Sequence, residues 1–127
     1  MLLYVTLGTN DLARATRFYD AVMPCLGLQR RFANEDEIGY GAPDPERIRF
    51  WVTQPFDGQA ATVGNGSMAA LTAATRAAVD AFHAAGLAAG GHDEGAPGLR
   101  PYGAHFYACY LRDPDGNKLS AVCEAPS

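Results

Sequence analysis

The first apolar run, Leu2 to Leu7, is short and β-branched, and it breaks at Gly8-Thr9-Asn10-Asp11, a turn that ends in residues suited to capping a helix. From Asp11 onward the pattern changes period. Leu12, Ala15, Tyr19, Val22 and Met23 recur at three- and four-residue steps, with Arg14, Arg17 and Asp20 between them, which predicts an amphipathic helix. Pro24 cannot donate the next helical hydrogen bond and Gly27 supplies a flexible stop, so the helix should kink or end there. Three segments of β-type composition follow, at Leu28 to Ala33, Glu37 to Tyr40 and Ile48 to Thr53, with the turn Ala42-Pro43-Asp44-Pro45 before the last. A polar stretch from Asp57 to Ser67 then separates this half from a second one. There Met68 to Leu71 reads as a strand and Thr75 as a cap. Val79, Phe82, His83, Gly86 and Leu87 form a helical stripe that Gly90-Gly91 terminate. A short strand near Gly91 to Asp93, a Gly/Pro loop from Glu94 to Gly103, an alternating run from Ala104 to Arg112 and a last strand from Leu119 to Cys123 complete the pattern. Asp113-Pro114-Asp115-Gly116 suits a type I turn closing the final hairpin.

The order β-α-β-β-β therefore occurs twice, in half-modules 1–55 and 66–124 of one domain spanning 1–127. The expected fold class is α+β, with the two βαβββ modules forming a curved mixed sheet around a concave cleft and the helices on the outside. A length of 127 residues and a hydrophobic fraction of 48% allow one ordinary core. The net charge of −4 comes without a basic run, which argues against nucleic acid as a partner. Cys25, Cys109 and Cys123 are odd in number and lack CxxC spacing, so neither a disulfide framework nor a structural zinc site is expected, and a reducing cytoplasm is the default location. The amino terminus turns polar too soon for a signal peptide or membrane span. A single lysine, Lys118, against nine arginines points to a GC-rich bacterial genome.

The Asp11-Leu12 helix start with Phe18-Tyr19, the Leu26-Gly27 stop, the Arg76 to Phe82 helix and the Asp113-Pro114-Asp115-Gly116 turn, taken in this order, resemble the vicinal oxygen chelate superfamily. That superfamily includes glyoxalase I, bleomycin-resistance proteins and extradiol dioxygenases, and the resemblance covers essentially the whole chain. In its metal-dependent members, four His or Glu side chains converge in the cleft, from the first strand and one later strand of each half. By the spacing of that resemblance the matching positions are Tyr4, seven residues before Asp11, Met68, seven before Thr75, Ser120, four after Gly116, and Phe50 or Trp51. None is an imidazole or a carboxylate. Zinc-like ions need N, O or S donors at about 2.0–2.3 Å. A neutral phenol that titrates near 10, a thioether and an alcohol supply no such set. Hence no divalent metal or other cofactor is expected, and glyoxalase or dioxygenase chemistry is not carried over.

The expected function is instead the binding of a small organic molecule in an aromatic cleft lined by Tyr4, Phe50, Trp51, Met68, Tyr107 and Ser120. Homodimerisation follows the superfamily's habit and suits exposed sheet edges. The alternative is a lyase-, isomerase- or dioxygenase-type enzyme with non-standard ligands such as His105 or Glu124, or with metal-free chemistry in which His105 is the base and Tyr107 the acid. Alternation puts His105, Tyr107 and Cys109 on one face of their strand and Phe106, Ala108 and Tyr110 on the other, and the sequence leaves open which meets the cleft. The acid/base reading needs the first. His92-Asp93-Glu94 reads as turn polarity, and His83 as the edge of an apolar helix stripe. Arg100, in the Gly/Pro loop, is a candidate contact for an anionic ligand.

Overall fold

The computed structural model describes residues 1–44 and 47–127, so Pro45 of the anticipated turn lies outside the described residues. The first module runs β1 (Val5–Gly8), α1 (Leu12–Val22), β2 (Gln29–Ala33), β3 (Glu37–Gly41) and β4 (Ile48–Thr53). The second runs β5 (Ala69–Thr72), α2 (Arg76–Ala88), β6 (His92–Leu99), β7 (Tyr107–Arg112) and β8 (Lys118–Cys123). Each module forms its own four-stranded mixed sheet. The orders are β1-β4-β3-β2 and β5-β8-β7-β6, with the first strand of each module parallel to the last.

The helices form where the caps allow. Asp11 accepts from the Arg14 N–H at 3.0 Å and Thr75 from the Ala78 N–H at 3.0 Å, each satisfying a donor that the first helical turn leaves free. After α1 the chain tightens into a 3-10 turn over Met23–Leu26 with Pro24 near its start, and it leaves through Gly27 at φ 75°. α2 ends with Gly90 at φ 99° and the Gly91 N–H on the Gly86 carbonyl at 2.8 Å, the crossed pair of a Schellman stop.

Both helices lay their apolar stripes on one face of their own sheet and on each other. Ala15, Phe18, Tyr19 and Val22 of α1 join Val79 and Phe82 of α2 in a single core with Ile38, Tyr40, Phe50, Val52, Leu111, Leu119 and Ala121. Each large side chain so buried contributes about 2 kcal/mol or more of hydrophobic stabilisation. Gly86 allows the closest approach: a Cβ there would stand 3.1 Å from the Leu111 side chain.

The two halves are joined by the β7–β8 turn, which is closed by Gly116 N–H on Asp113 O at 2.9 Å. Its Asp113 is fully buried and accepts from Tyr19 Oη at 2.6 Å, from Asn117 Nδ2 at 2.9 Å, and from the main-chain N–H groups of Asn117 at 2.9 Å and Asp115 at 3.0 Å. Asp115 reaches the start of α1, accepting from Thr9 Oγ1 at 2.5 Å, the Asn10 N–H at 2.9 Å and Arg14 Nη2 at 2.9 Å. A carboxylate at that position also suits the positive end of the helix dipole.

The last quarter departs most from the sequence reading. Instead of a short strand near 91–93 and a loop from 94 to 103, β6 extends to Leu99. It tolerates Pro97 because it is an edge strand, and its register with β7 breaks between Asp93 and Gly95 and again before Gly98. The neighbouring strand begins at Tyr107 and not at Ala104, with a turn over 101–105 taking up the difference.

Candidate functional site

Alternation along each strand leaves one sheet face on the helices and one open. In the first module Val5, Leu7, Phe50, Val52, Ile38 and Tyr40 face the core, so Thr6, Arg49, Trp51, Thr53, Glu37 and Gly39 face outward. In the second, Tyr107, Cys109, Leu111, Leu119, Ala121 and Cys123 face the core, leaving Ala108, Tyr110, Arg112, Lys118, Ser120 and Val122 on the open side.

On the first open face, Tyr4, Thr6, Glu37 and Trp51 line a depression of about 280 Å³. Thr6 lies opposite Trp51 in the parallel β1–β4 pair. The Trp51 ring lies over Gly39, where a Cβ would come within 2.9 Å of it, and meets Phe32 edge-on at 5.5 Å. Gly39 is thus the floor that lets the indole lie flat. Arg49 donates from Nη1 to the Leu3 carbonyl at 2.9 Å and ties the amino-terminal segment to β4.

On the second open face, Met68, Glu94, Tyr102, Phe106, Tyr110 and Lys118 line a larger depression of about 550 Å³. Tyr102 and Phe106 stack edge-to-face at 5.5 Å, while the Arg100 guanidinium lies 5.4 Å and the Lys118 ammonium 5.8 Å from the Tyr110 ring centre. Arg100 gets there across β6. A Cβ at Gly98 would stand 3.0 Å, and one at Gly95 3.3 Å, from its guanidinium nitrogens. Glu94 pairs with Arg112, whose guanidinium holds that carboxyl below the usual glutamate range. Ser120 lies between Ala70 and Tyr110; it is fully buried, and its Oγ has no hydrogen-bond partner. A third, apolar groove of about 460 Å³ runs along β1 and β5, between Leu3, Tyr4, Leu26 and Leu28 on one side and Ala70 to Thr72 on the other.

The anticipated residues are therefore divided. Tyr4 and Trp51 share one depression, Met68 lines the other, and Ser120 lies on the second open face beneath its surface. Phe50 and Tyr107 belong elsewhere. Phe50 is 1% exposed and packs against Tyr19 at 5.2 Å on the helix side, because the parallel pairing puts it opposite core-facing Val5. Tyr107 faces α2, donating to Asp80 at 2.6 Å beneath the Arg76 guanidinium, and the hydrogen bond to Asp80 raises its pKa. His105 is exposed in the turn before β7, so it and Tyr107 form no acid/base pair. Burial pushes the Cys109 thiol up and keeps it protonated. The site residues not anticipated, Tyr102, Phe106 and Tyr110, include two from the other face of the alternating run.

The positions at which the resemblance leads one to expect metal ligands carry the Tyr4 phenol, the Trp51 indole, the Met68 thioether and the buried Ser120 hydroxyl. No group of three or more His, Cys, Asp or Glu side chains able to hold a metal ion occurs among the described residues. This donor set does not fit a zinc-like ion. Also among the described residues, no helix is long and apolar enough to cross a membrane.

The chain is similar over 97% of its length, and 98% of the other's, to a crystal structure of a glyoxalase/bleomycin resistance protein from Albidiferax ferrireducens T118, with 42% identity and a TM-score of 0.87. It also shares its fold with a glyoxalase-related enzyme from Fulvimarina pelagi, at 22% identity and a TM-score of 0.74, covering 97% of this chain and 87% of that one. The corresponding figures for a lactoylglutathione lyase from Agrobacterium tumefaciens are 20%, 0.68, 97% and 92%. No curated protein sequence matches. A family profile matches residues 1–120, and with it the chain belongs to the Glyoxalase/Bleomycin resistance protein/Dioxygenase superfamily.

Proposed function

We propose that the protein binds a small organic molecule against its open sheet faces without a resident divalent metal. What supports this reading is the lining of the two open faces, where Tyr4 and Trp51 on one and Met68, Tyr102, Phe106 and Tyr110 on the other offer aromatic and thioether surface and no metal-binding set of imidazoles or carboxylates among the described residues. Exposed aromatic and thioether groups are what a pocket for an organic guest presents. Tyr4 is 51% exposed, Met68 45% and Tyr102 68%. The working form is a homodimer in the reducing cytoplasm. Among the described residues β1 and β5 are terminal strands of their sheets, and open sheet edges favour association with a second copy.

The test is a thermal-shift screen against a library of small organic compounds, with and without EDTA, combined with elemental analysis of protein purified without chelator. Compounds that raise the melting temperature equally in both arms support the reading. A melting temperature lowered by EDTA, or a stoichiometric metal, overturns it. Light scattering after size exclusion reports the mass, and a monomer at working concentration removes the dimer.

A further inference from the structure

The charge on the second open face opposes that of the whole chain. The protein carries a net −4, yet Lys118 lines this depression beside Glu94, Arg100 lies against its Tyr110 and Arg112 against its Glu94. Glu94 is already paired with Arg112, and Asp93 turns to His83 Nε2 at 2.8 Å. Arg100 and Lys118 are left over. Arg100 bonds main-chain oxygens, Ala96 at 2.6 Å and Leu99 at 3.4 Å, and among the described residues neither it nor Lys118 forms a direct ion pair, although the Lys118 charge acts on Glu94 across the depression. Both cations flank one ring, Tyr110, whose neighbours Phe106, Tyr102 and Met68 supply the apolar lining.

We propose that this face is a binding site for planar aromatic anions, whose ring packs against Tyr110, Phe106 and Met68 while its carboxylate is held by Lys118 and Arg100. The inference rests on the small-molecule reading above and names its ligand class. Aromatic surface desolvates the ring, and two cations held in no direct ion pair meet an anion without first breaking one. The glycines of β6 have a role here as well, because side chains at Gly95 or Gly98 would collide with the Arg100 guanidinium.

The test is isothermal titration of the full chain with 2-naphthoate and with its neutral analogue 2-naphthylmethanol, at low and high salt. Naphthoate should bind at least tenfold tighter than the alcohol at low salt and lose much of that advantage at high salt. Lys118→Gln and, independently, Arg100→Gln should each weaken naphthoate at least fivefold and leave the alcohol unchanged, with melting temperatures near wild type as the folding control. Gly98→Val should act like Arg100→Gln. Equal affinity for the two probes, no binding of naphthoate, or indifference to both cation substitutions overturns the assignment. The outcomes also separate the two readings. If neutral compounds from the library bind while naphthoate has no advantage, only the anion assignment fails. If no compound of any charge binds, the small-molecule reading fails with it.

Discussion

Tyr19→Phe removes a single oxygen from the seam between the modules and leaves the ring packing intact. That oxygen donates at 2.6 Å to Asp113, and both residues are fully buried. A hydrogen bond to a charged acceptor in such surroundings contributes about 2 kcal/mol. For a chain of 127 residues each kcal/mol moves the melting temperature by about 4 °C, so Tyr19→Phe should lower it by about 8 °C. Asp113→Ala goes further. It removes the acceptor for four donors and strands the Tyr19 hydroxyl and the Asn117 main-chain N–H in a dry interior, which costs about 4 kcal/mol, or about 15 °C. Adding Tyr19→Phe to Asp113→Ala should then cost little more or even recover stability, because the stranded hydroxyl goes with it. Calorimetry and guanidinium unfolding of the four proteins complete the cycle. A Tyr19→Phe shift below about 2 °C, or additive losses in the double variant, would refute the view that this carboxylate fastens the two halves.

The same tyrosine sets an alkaline limit. Burial first, and then the Asp113 charge, raise the Tyr19 pKa well above its ordinary value of 10.0, and burial with the Asp20 hydrogen bond raises that of Tyr40. The folded chain therefore keeps protons that the unfolded chain releases above about pH 10, so stability from these groups is full below that pH and falls as pH rises beyond it. Guanidinium midpoints between pH 9 and 11.5 should fall less steeply in Tyr19→Phe. Gly39→Val should cost about 1–3 kcal/mol by overpacking, since its Cβ would stand 2.8 Å from Ile48 Cγ2 and 2.9 Å from the Trp51 ring. As Trp51 is the only tryptophan, its emission spectrum reads the displacement directly, and an unchanged spectrum contradicts the packing described. Burial raises the pKa of Cys25 and Cys109, and Cys123 is fully buried, so a thiol reagent at pH 8 should react slowly with native protein and quickly with all three thiols in denaturant. A rapid native reaction would count against the placement of these cysteines.

Local signals carried most of the fold. Asp11, Thr75, Gly27 and Gly90 set the helix limits through cap and left-handed positions that depend on near neighbours alone, and the Asp113-to-Gly116 turn is equally local. β6 was hidden because Gly95, Pro97 and Gly98 are loop residues by propensity. Its strand geometry comes from pairing with β7 across a register that slips twice, a tertiary fact. The candidate site was half legible. Spacing pointed to Tyr4, Met68, Ser120 and one of Phe50 and Trp51, which the structure divides between two faces; a choice between adjacent residues such as Phe50 and Trp51, or between the two faces of the run around Tyr107, depends on which side a helix covers. A period of two cannot state that. Nor did spacing reveal that Arg100 reaches Tyr110, since the route crosses two glycines whose lack of side chains looked like loop chemistry.

The seam joins residues very far apart along the chain. Tyr19 and Asp113 are 94 positions apart, and Asn117 donates to the Gly8 carbonyl across 109. Within a module the sheet closes over shorter spans, so loop-closure entropy favours contacts inside each half over those across the seam. During synthesis the start of α1 emerges early, but the carboxylates that complete it belong to the final hairpin. Until that hairpin arrives, Thr9, Asn10 and Arg14 lack the Asp115 carboxylate that gathers them.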